Sequence, residues 1–370
     1  VIHRAELQQG IVCAKHQSRN RSLDGLRGLA VGLVMLHHSF LLGSGWIGVD
    51  LFFVLSGYLI TTILRSSVDD ANYWSAFWIK RATRILPPFL VFIAAVVIAY
   101  RLPLHWAALY LLSFGDLMAF WHARPEAPHV LWSLAVEEHF YMVWPFAVRW
   151  LKRESLIRCL IALLILEPLL RLGVCLWLHP DGNLLYYLTF FRLDSIGLGC
   201  LLAILVERPE NTELLRRWSV AGFALVAVIY FAVHRALGAA FLRESNTPVY
   251  NTLIYSLIGL CCFWLLAHLI TRPKGLAARL LAWSPLVWVG TISYGVYLYH
   301  LPILGGLMAA FQWTPRHAAL PAAVIALLVA WISFKAMEQP AIAWGRRRAG
   351  QKEGDLARPP AGSHGRLQSE

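Results

Sequence analysis

Apolar segments recur along almost the whole chain, at 26–43, 46–64, 85–100, 131–150, 156–178, 184–206, 218–238, 249–270, 285–309 and 318–336. Each is close to the length a helix needs to cross a ~30 Å hydrocarbon layer at ~1.5 Å per residue. Peptide groups in lipid have no water to bond to, so such segments must close their own hydrogen bonds as helices. Their repetition predicts an all-α polytopic transmembrane bundle of about ten helices. The composition agrees: 58% of residues are hydrophobic and 15% charged, against roughly 25% charge in soluble domains.

The net charge of +12 would suggest nucleic acid in a soluble chain. Here it reads as the cytoplasmic Lys/Arg excess of a membrane protein, and no nucleic-acid partner is expected. The basic clusters are Arg19/Arg21, Lys80/Arg81/Arg84, Arg149/Lys152/Arg153, Arg208/Arg216/Arg217, Arg272/Lys274/Arg279 and Arg346/Arg347/Arg348. All six fall on one side if the run at 104–120 does not cross. That run carries Gly115 and Asp116 and is barely long enough, so it is read as re-entrant or lying on the outer face. Ten crossings with both termini cytoplasmic then satisfy the positive-inside rule. Residues 1–22 are a polar cytoplasmic segment without the pattern of a cleavable signal, 23–340 the membrane domain, and 341–370 a Gly/Arg-rich cytoplasmic tail expected to be disordered. The expected location is the cell (inner or plasma) membrane, multi-pass. Six scattered cysteines show no ligand spacing, so neither a disulfide framework nor a metal site is expected.

Ionisable residues inside such segments are the functional candidates. Arg27 and His38 share the stretch LRGLAVGLVMLHHSFLL. Eleven residues make about three helical turns with ~20° of residual rotation, so the two side chains share a face roughly 16 Å apart. Arg27 lies near the inner surface and His38 in the outer half of the bilayer. The same arithmetic places Glu137 of LWSLAVEEHFYMVWPF and His300 of ISYGVYLYHLPI near the depth of His38, with Arg192 and Asp194 near the middle. Arg81 and Arg84 share a helical face and join Arg27 at the cytoplasmic rim, just before Pro87-Pro88, read as a helix break.

Guanidinium groups pair bidentately with phosphate, so Arg27, Arg81 and Arg84, with Lys80, form a candidate clamp for a phosphorylated donor. The plain alternative, strongest for Lys80, is ordinary positive-inside charge. His38 is the candidate general base, because imidazole titrates near neutrality; its alternative is a buried, hydrogen-bonded histidine. His37 points ~100° away and is read as structural. Glu137 has three readings: orienting His38 and stabilising its imidazolium, binding sugar hydroxyls, or pairing with a buried arginine. Asp50 is either a cap at the outer end of the second helix or an acceptor-binding group. Arg192 and Asp194 either neutralise each other, directly or through other helices, or contact the acceptor. His300 contacts the acceptor or packs with Tyr297 and Tyr299. Gly28 and Gly32 form a small-residue pair for close helix packing.

The segments RSLDGLRGLAVGLVMLHHSF, GWIGVDLFFVLSGYLIT, FWIKRATRILPPF, LWSLAVEEHFYMVWP and ISYGVYLYHLPI, in this order, resemble the membrane acyltransferase-3 family. The resemblance runs from about Arg21 to Pro340. It places the family's basic-x10-His motif on Arg27 and His38, its RxxR motif on Arg81 and Arg84, and its Ser-Leu-x-x-Glu stretch on Ser133 and Glu137. It implies transfer of an acyl group, commonly acetyl from acetyl-CoA, to a carbohydrate or other hydroxyl, with no permanently bound cofactor. Some members carry an added extracytoplasmic domain; this chain is read as a self-contained membrane enzyme. The partners implied are acyl-CoA, membrane lipid, and an acceptor that is a glycan, a lipid-linked sugar or another hydroxyl compound. The alternative is a transporter of a small anionic or acylated solute, for which paired inverted repeats with broken helices would be expected; none is evident. Acceptor identity, acyl length, and direct transfer versus an acyl-enzyme stay open.

Overall fold

A computed structural model describes residues 20–101, 103–111, 116, 130–179, 182–238 and 247–350. Among them the regular structure is helical, with no strand. Seven helical segments are long and apolar enough to cross a membrane: Gly43–Ser66, Tyr73–Ala99, Arg153–Leu178, Pro209–Leu237, Pro248–Thr271, Ser293–Phe311 and Pro315–Arg348. Three more helices pack among them. Helix α1 (Arg21–His38) and the helix Leu131–Trp150 carry the charged site candidates, and Leu193–Leu205 is apolar but only 13 residues long. The remaining helices named below are α2 (Ile47–Ser66), α3 (Tyr73–Tyr100), α4 (Leu104–Leu111), α5 (Leu131–Trp150), α6 (Arg153–Leu178) and α7 (Gly182–Tyr187). After them come α8 (Leu193–Leu205), α9 (Pro209–Leu237), α10 (Pro248–Thr271), α11 (Leu276–Leu281), α12 (Ser284–Thr291), α13 (Ser293–Phe311), α14 (Pro315–Ser333) and α15 (Gln339–Arg348).

The helix starts are written in the sequence. Asn20 caps α1 by accepting from the Ser22 amide at 3.1 Å, with Asp24 in the first turn. Thr247-Pro248 and Thr314-Pro315 open α10 and α14, each threonine oxygen accepting an amide of the first turn. Outward faces are apolar: Leu166, Leu169 and Trp177 on α6, Leu225, Val228 and Phe231 on α9, and Leu320, Val324 and Leu328 on α14 are all exposed. Charged groups, by contrast, are buried between helices: Asp50, Glu167, Arg171, Arg192, Asp194 and Glu338. That inversion of the soluble pattern is what a lipid solvent selects.

Two crossings depend on glycine. A Cβ on Gly28 would lie 2.2 Å from the Leu286 carbonyl oxygen, and one on Gly290 1.7 Å from that of Asp24, so α1 and α12 meet backbone to backbone. Gly57 and Gly199 bring α2 and α8 together in the same way, with added Cβ atoms 2.1 and 2.0 Å from the Ile196 and Val54 oxygens. Gly32, expected to pair with Gly28, has nothing within 4 Å.

Three sequence expectations change. Helix α3 runs unbroken through Pro87 and Pro88, so Arg81 and Arg84 sit inside a helix rather than before a break. The Tyr294 hydroxyl donates to the Ile85 carbonyl at 3.2 Å beside the prolines, tying α13 to α3 there; a membrane helix tolerates such prolines where its neighbours and local adjustments satisfy the freed carbonyls. The run 184–206 is not one helix: it breaks into α7, a 3-10 turn at Thr189–Phe191, and α8. The break is held by side chains, since Arg171 Nη1 donates to the Phe191 carbonyl at 2.8 Å and Thr189 Oγ1 to Asp116 Oδ2 at 2.7 Å. The tail is not irregular from 341: α14 passes through a π turn at Phe334–Glu338 into α15, which ends at Arg348. Asn72 donates to the Ala349 carbonyl at 3.0 Å and docks that end on the bundle. Residues 351–370 lie outside the described residues, as do 1–19 and most of 112–129. The re-entrant reading of 104–120 therefore falls largely outside them too; α4 covers Leu104–Leu111.

Candidate active site

Helices α1, α2, α3, α5, α12, α13 and α15, with the π turn, enclose a cavity of about 460 Å³. Its wall gathers four arginines from three places in the chain: Arg27, Arg81, Arg84 and Arg346. The expected clamp residues are thus brought together, and Lys80 is not among the lining residues. Arg81 lies over the Tyr141 ring at 5.6 Å, a contact that fixes its guanidinium plane. Arg346 was not legible as a site residue, because in sequence it belongs to an Arg346/Arg347/Arg348 run that reads as cytoplasmic charge. The helical ending of α15 selects one arginine of the three. Arg27 Nε and Glu338 Oε1 are buried with no hydrogen-bond partner, so the cavity holds donor and acceptor capacity that a ligand can use.

Further along the cavity stand Ser56, Ser133, Glu137, Glu138, Tyr141 and Tyr297. Glu137 accepts from Ser56 Oγ at 2.6 Å and from the Tyr141 hydroxyl at 2.8 Å. Glu138 also lines the wall. Ser133 Oγ and the Tyr297 hydroxyl are 2.5 Å apart, and Tyr297 also donates to the Val130 carbonyl at 3.3 Å.

One turn beyond Tyr297 on α13 is His300, buried, and its Nε2 lies 3.0 Å from Nδ1 of His38 on α1. The depth arithmetic that put His38 and His300 at one level is thereby met by direct contact. The partner differs from the expected one. His38 is hydrogen-bonded to His300, while the hydrogen bonds of Glu137 go to Ser56 and Tyr141. His300 correspondingly points at His38. Neither histidine is among the cavity-lining residues, which end at Tyr297, whose ring is 5.8 Å from that of His300. His37 Nδ1 lies 3.0 Å from the Gly43 carbonyl oxygen, tying the end of α1 to the following turn as its register suggested.

The other candidates form a separate, fully buried network. Asp50 is not a solvent-facing cap: its Oδ1 accepts from Arg192 Nη2 at 2.8 Å and from Ser195 Oγ at 2.9 Å. Arg192 and Asp194 do not pair directly; each pairs through another helix, as one of their readings allowed. Arg192 pairs with Asp50, and Asp194 accepts from Arg171 Nη2 at 2.7 Å and from Ser256 Oγ at 2.8 Å. Arg192 lies over the Tyr255 ring at 4.3 Å, with Tyr186 and Trp132 alongside. Arg171 also bonds Glu167 at 3.3 Å. Arg171 and Glu167 were missed, although two opposite charges at i, i+4 within an apolar helix were a readable signal. None of Asp50, Arg192 and Asp194 lines the arginine cavity. Together the two ion pairs tie α2, α6 and α8, and Ser256 joins α10 to them by accepting from Arg171 and donating to Asp194. Among the described residues, no group of three or more His, Cys, Asp or Glu side chains is placed to hold a metal ion.

Comparison with known proteins gives a consistent result. A family model described as an acyltransferase domain matches residues 20–335. The chain is 30% identical over 349 residues to the peptidoglycan O-acetyltransferase OatA of Listeria monocytogenes, a match covering 86% of this chain and 55% of that protein. It is 27% identical over 355 residues to the O-acetyltransferase OatA of Staphylococcus aureus, covering 86% and 56%. The putative peptidoglycan O-acetyltransferase YrhL of Bacillus subtilis is 30% identical over 328 residues, covering 78% and 49%. The chain spans about half the length of these relatives. No solved structure matches it.

Proposed function

This chain belongs to the membrane acyltransferase-3 family, and on that premise we propose that it moves an acyl group, acetyl by preference, from acyl-CoA to a hydroxyl of an envelope glycan. Membership supports an acyltransferase over the transporter reading. The observation that carries the donor is the convergence of Arg27, Arg81, Arg84 and Arg346 on one cavity wall. A CoA thioester brings a pyrophosphate and a ribose phosphate, and arginine forks match phosphate oxygens bidentately. The relatives named as peptidoglycan O-acetyltransferases support a glycan hydroxyl as acceptor.

The chemistry follows from the remaining groups. The acceptor oxygen attacks the thioester carbonyl carbon; a C–O bond forms, the C–S bond breaks, and CoA leaves as thiol. His38 takes the hydroxyl proton as the oxygen attacks and returns it to the departing sulfur. The α1 spacing of roughly 16 Å between Arg27 and His38 matches a donor gripped by its phosphates at one end and presented by its pantetheine arm at the other. Glu137, fixed by Ser56 and Tyr141, lines the route between them. Positive-inside charge puts the arginine wall in the cytoplasm with both termini, if α1, α5 and α8 cross together with the seven longer apolar helices. The acceptor then enters from the outer side, and CoA never crosses.

Loss of one charge-assisted phosphate contact costs about 1.5–3 kcal/mol, or roughly 10- to 150-fold in affinity. Arg81→Ala, Arg84→Ala and Arg346→Ala should each weaken CoA binding to the purified protein by that order and raise the KM for acetyl-CoA in step. Equilibrium binding of CoA checks this directly. Unchanged affinity in all three variants would remove the donor site from this cavity.

A further inference from the structure

We propose that His300 is a positioning residue that sets the tautomer of His38, presenting His38 Nε2 as the base; this rests on the reading of His38 as general base. His300 Nδ1 lies 2.8 Å from the Tyr297 carbonyl oxygen and 3.2 Å from that of Val296. A carbonyl can only accept, so Nδ1 of His300 carries a proton. A second proton would make His300 a cation at a site only 2% exposed, where its hydrogen-bond partners are two carbonyls and an imidazole. A buried charge with no carboxylate on it is costly. His300 is therefore neutral, and its Nε2 is an acceptor.

The polarity of the pair follows. His38 Nδ1, 3.0 Å from that acceptor, must be the N–H donor. In neutral His38 the lone pair then resides on Nε2. Which imidazole nitrogen is basic is set by the bond the other makes. The direction is anchored at its buried end, because reversing it would strip His300 of its carbonyl bonds. A chain of two imidazoles thus performs the orienting part of what a carboxylate performs in hydrolytic triads, without its negative charge. It leaves Glu137 available to the substrate route.

The test uses the full chain in liposomes with two readouts. In the first, nitrogen-15 solid-state spectra of histidine-labelled protein, with His38 assigned by difference against His38→Gln, report which ring nitrogen bears hydrogen. The wild type should show His38 protonated at Nδ1. His300→Leu should shift it to Nε2 or to a mixture. His300→Gln, whose amide oxygen can accept from His38 Nδ1, should retain the Nδ1 form. In the second, turnover is followed with acetyl-CoA and soluble peptidoglycan fragments. His300→Leu should lower kcat by roughly 100-fold or more, as expected for a misoriented base, with the KM for acetyl-CoA within about twofold. His300→Gln should recover kcat to within about tenfold of wild type. His38 already protonated at Nε2 in the wild type, or an unaltered His38 spectrum in His300→Leu, overturns the proposal. So does equal loss of kcat in the Gln and Leu variants with the Nδ1 form intact in both. If His300→Leu does not fold, the wild-type and Gln spectra decide. If the wild type consumes no acetyl-CoA, the transferase reading fails while the spectra still decide the role of His300.

Discussion

Replacing His38 by alanine should abolish acyl transfer while leaving the folded protein in the membrane. A positioned general base contributes about 10²- to 10⁴-fold, and kcat should fall by that amount. His37→Ala should leave kcat within about threefold, since a hydrogen bond at a loop is worth about 1 kcal/mol or less in stability and takes no part in the reaction. The contrast between adjacent histidines is the point. His37 Nδ1 is engaged with the Gly43 carbonyl at the end of α1, and His38 with His300 across the helix pair. Acetyl-CoA consumption in purified membranes, normalised to monodisperse protein, measures both. Wild-type activity in His38→Ala would end the general-base assignment, and equal loss in both variants would point to damage at the end of α1 instead.

The second large effect is on stability. Arg192→Met leaves the Asp50 carboxylate alone at a position with no solvent exposure, and breaking such a pair costs about 3–5 kcal/mol. Asp50→Asn strands the guanidinium, whose Nε and Nη1 already lack partners. Both single variants should lose much of their thermal stability in detergent, read as a drop in Tm. The double variant Asp50→Asn, Arg192→Met should recover a large part of it, because it removes both charges. Whatever fraction of Asp50→Asn folds should bind CoA normally, since neither residue lines the arginine cavity. A donor-binding defect with unchanged Tm would move this pair from the scaffold into the site.

The bundle was readable from segment lengths and charge placement alone, because a bilayer leaves one solution for long apolar runs. Arg27, Arg81 and Arg84 were readable as one group at the cytoplasmic rim, since their depths were fixed by counting residues along helices; Glu137 was counted to the depth of His38, yet it lines the same cavity as the arginines. Depth gives level and not direction. The contact between His38 and His300 spans 262 residues of sequence, and no helical period relates the two. The pairing of Asp50 with Arg192 and of Asp194 with Arg171 was hidden for the same reason: several charges share a depth, and only the azimuth of each helix chooses partners. The break inside 184–206 was obscured by its own composition, as Leu188, Phe190 and Phe191 keep the run apolar while Asp116 and Arg171 reach in from elsewhere to hold the turn. Arg346 was masked by its two arginine neighbours. Pro87 and Pro88 carried a signal that soluble helices obey and membrane helices tolerate.

One measurement bears most directly on the account. The purified chain is reconstituted into sealed liposomes with peptidoglycan-derived glycan trapped inside and acetyl-labelled acetyl-CoA outside. The account expects alkali-labile acetyl ester to accumulate on the trapped glycan. CoA thiol should appear outside in equal amount, and both should be lost in His38→Ala and greatly slowed in Arg81→Ala at limiting donor. Acetylation only when donor and glycan share one compartment, or intact acetyl-CoA in the presence of folded protein and both substrates, would contradict it.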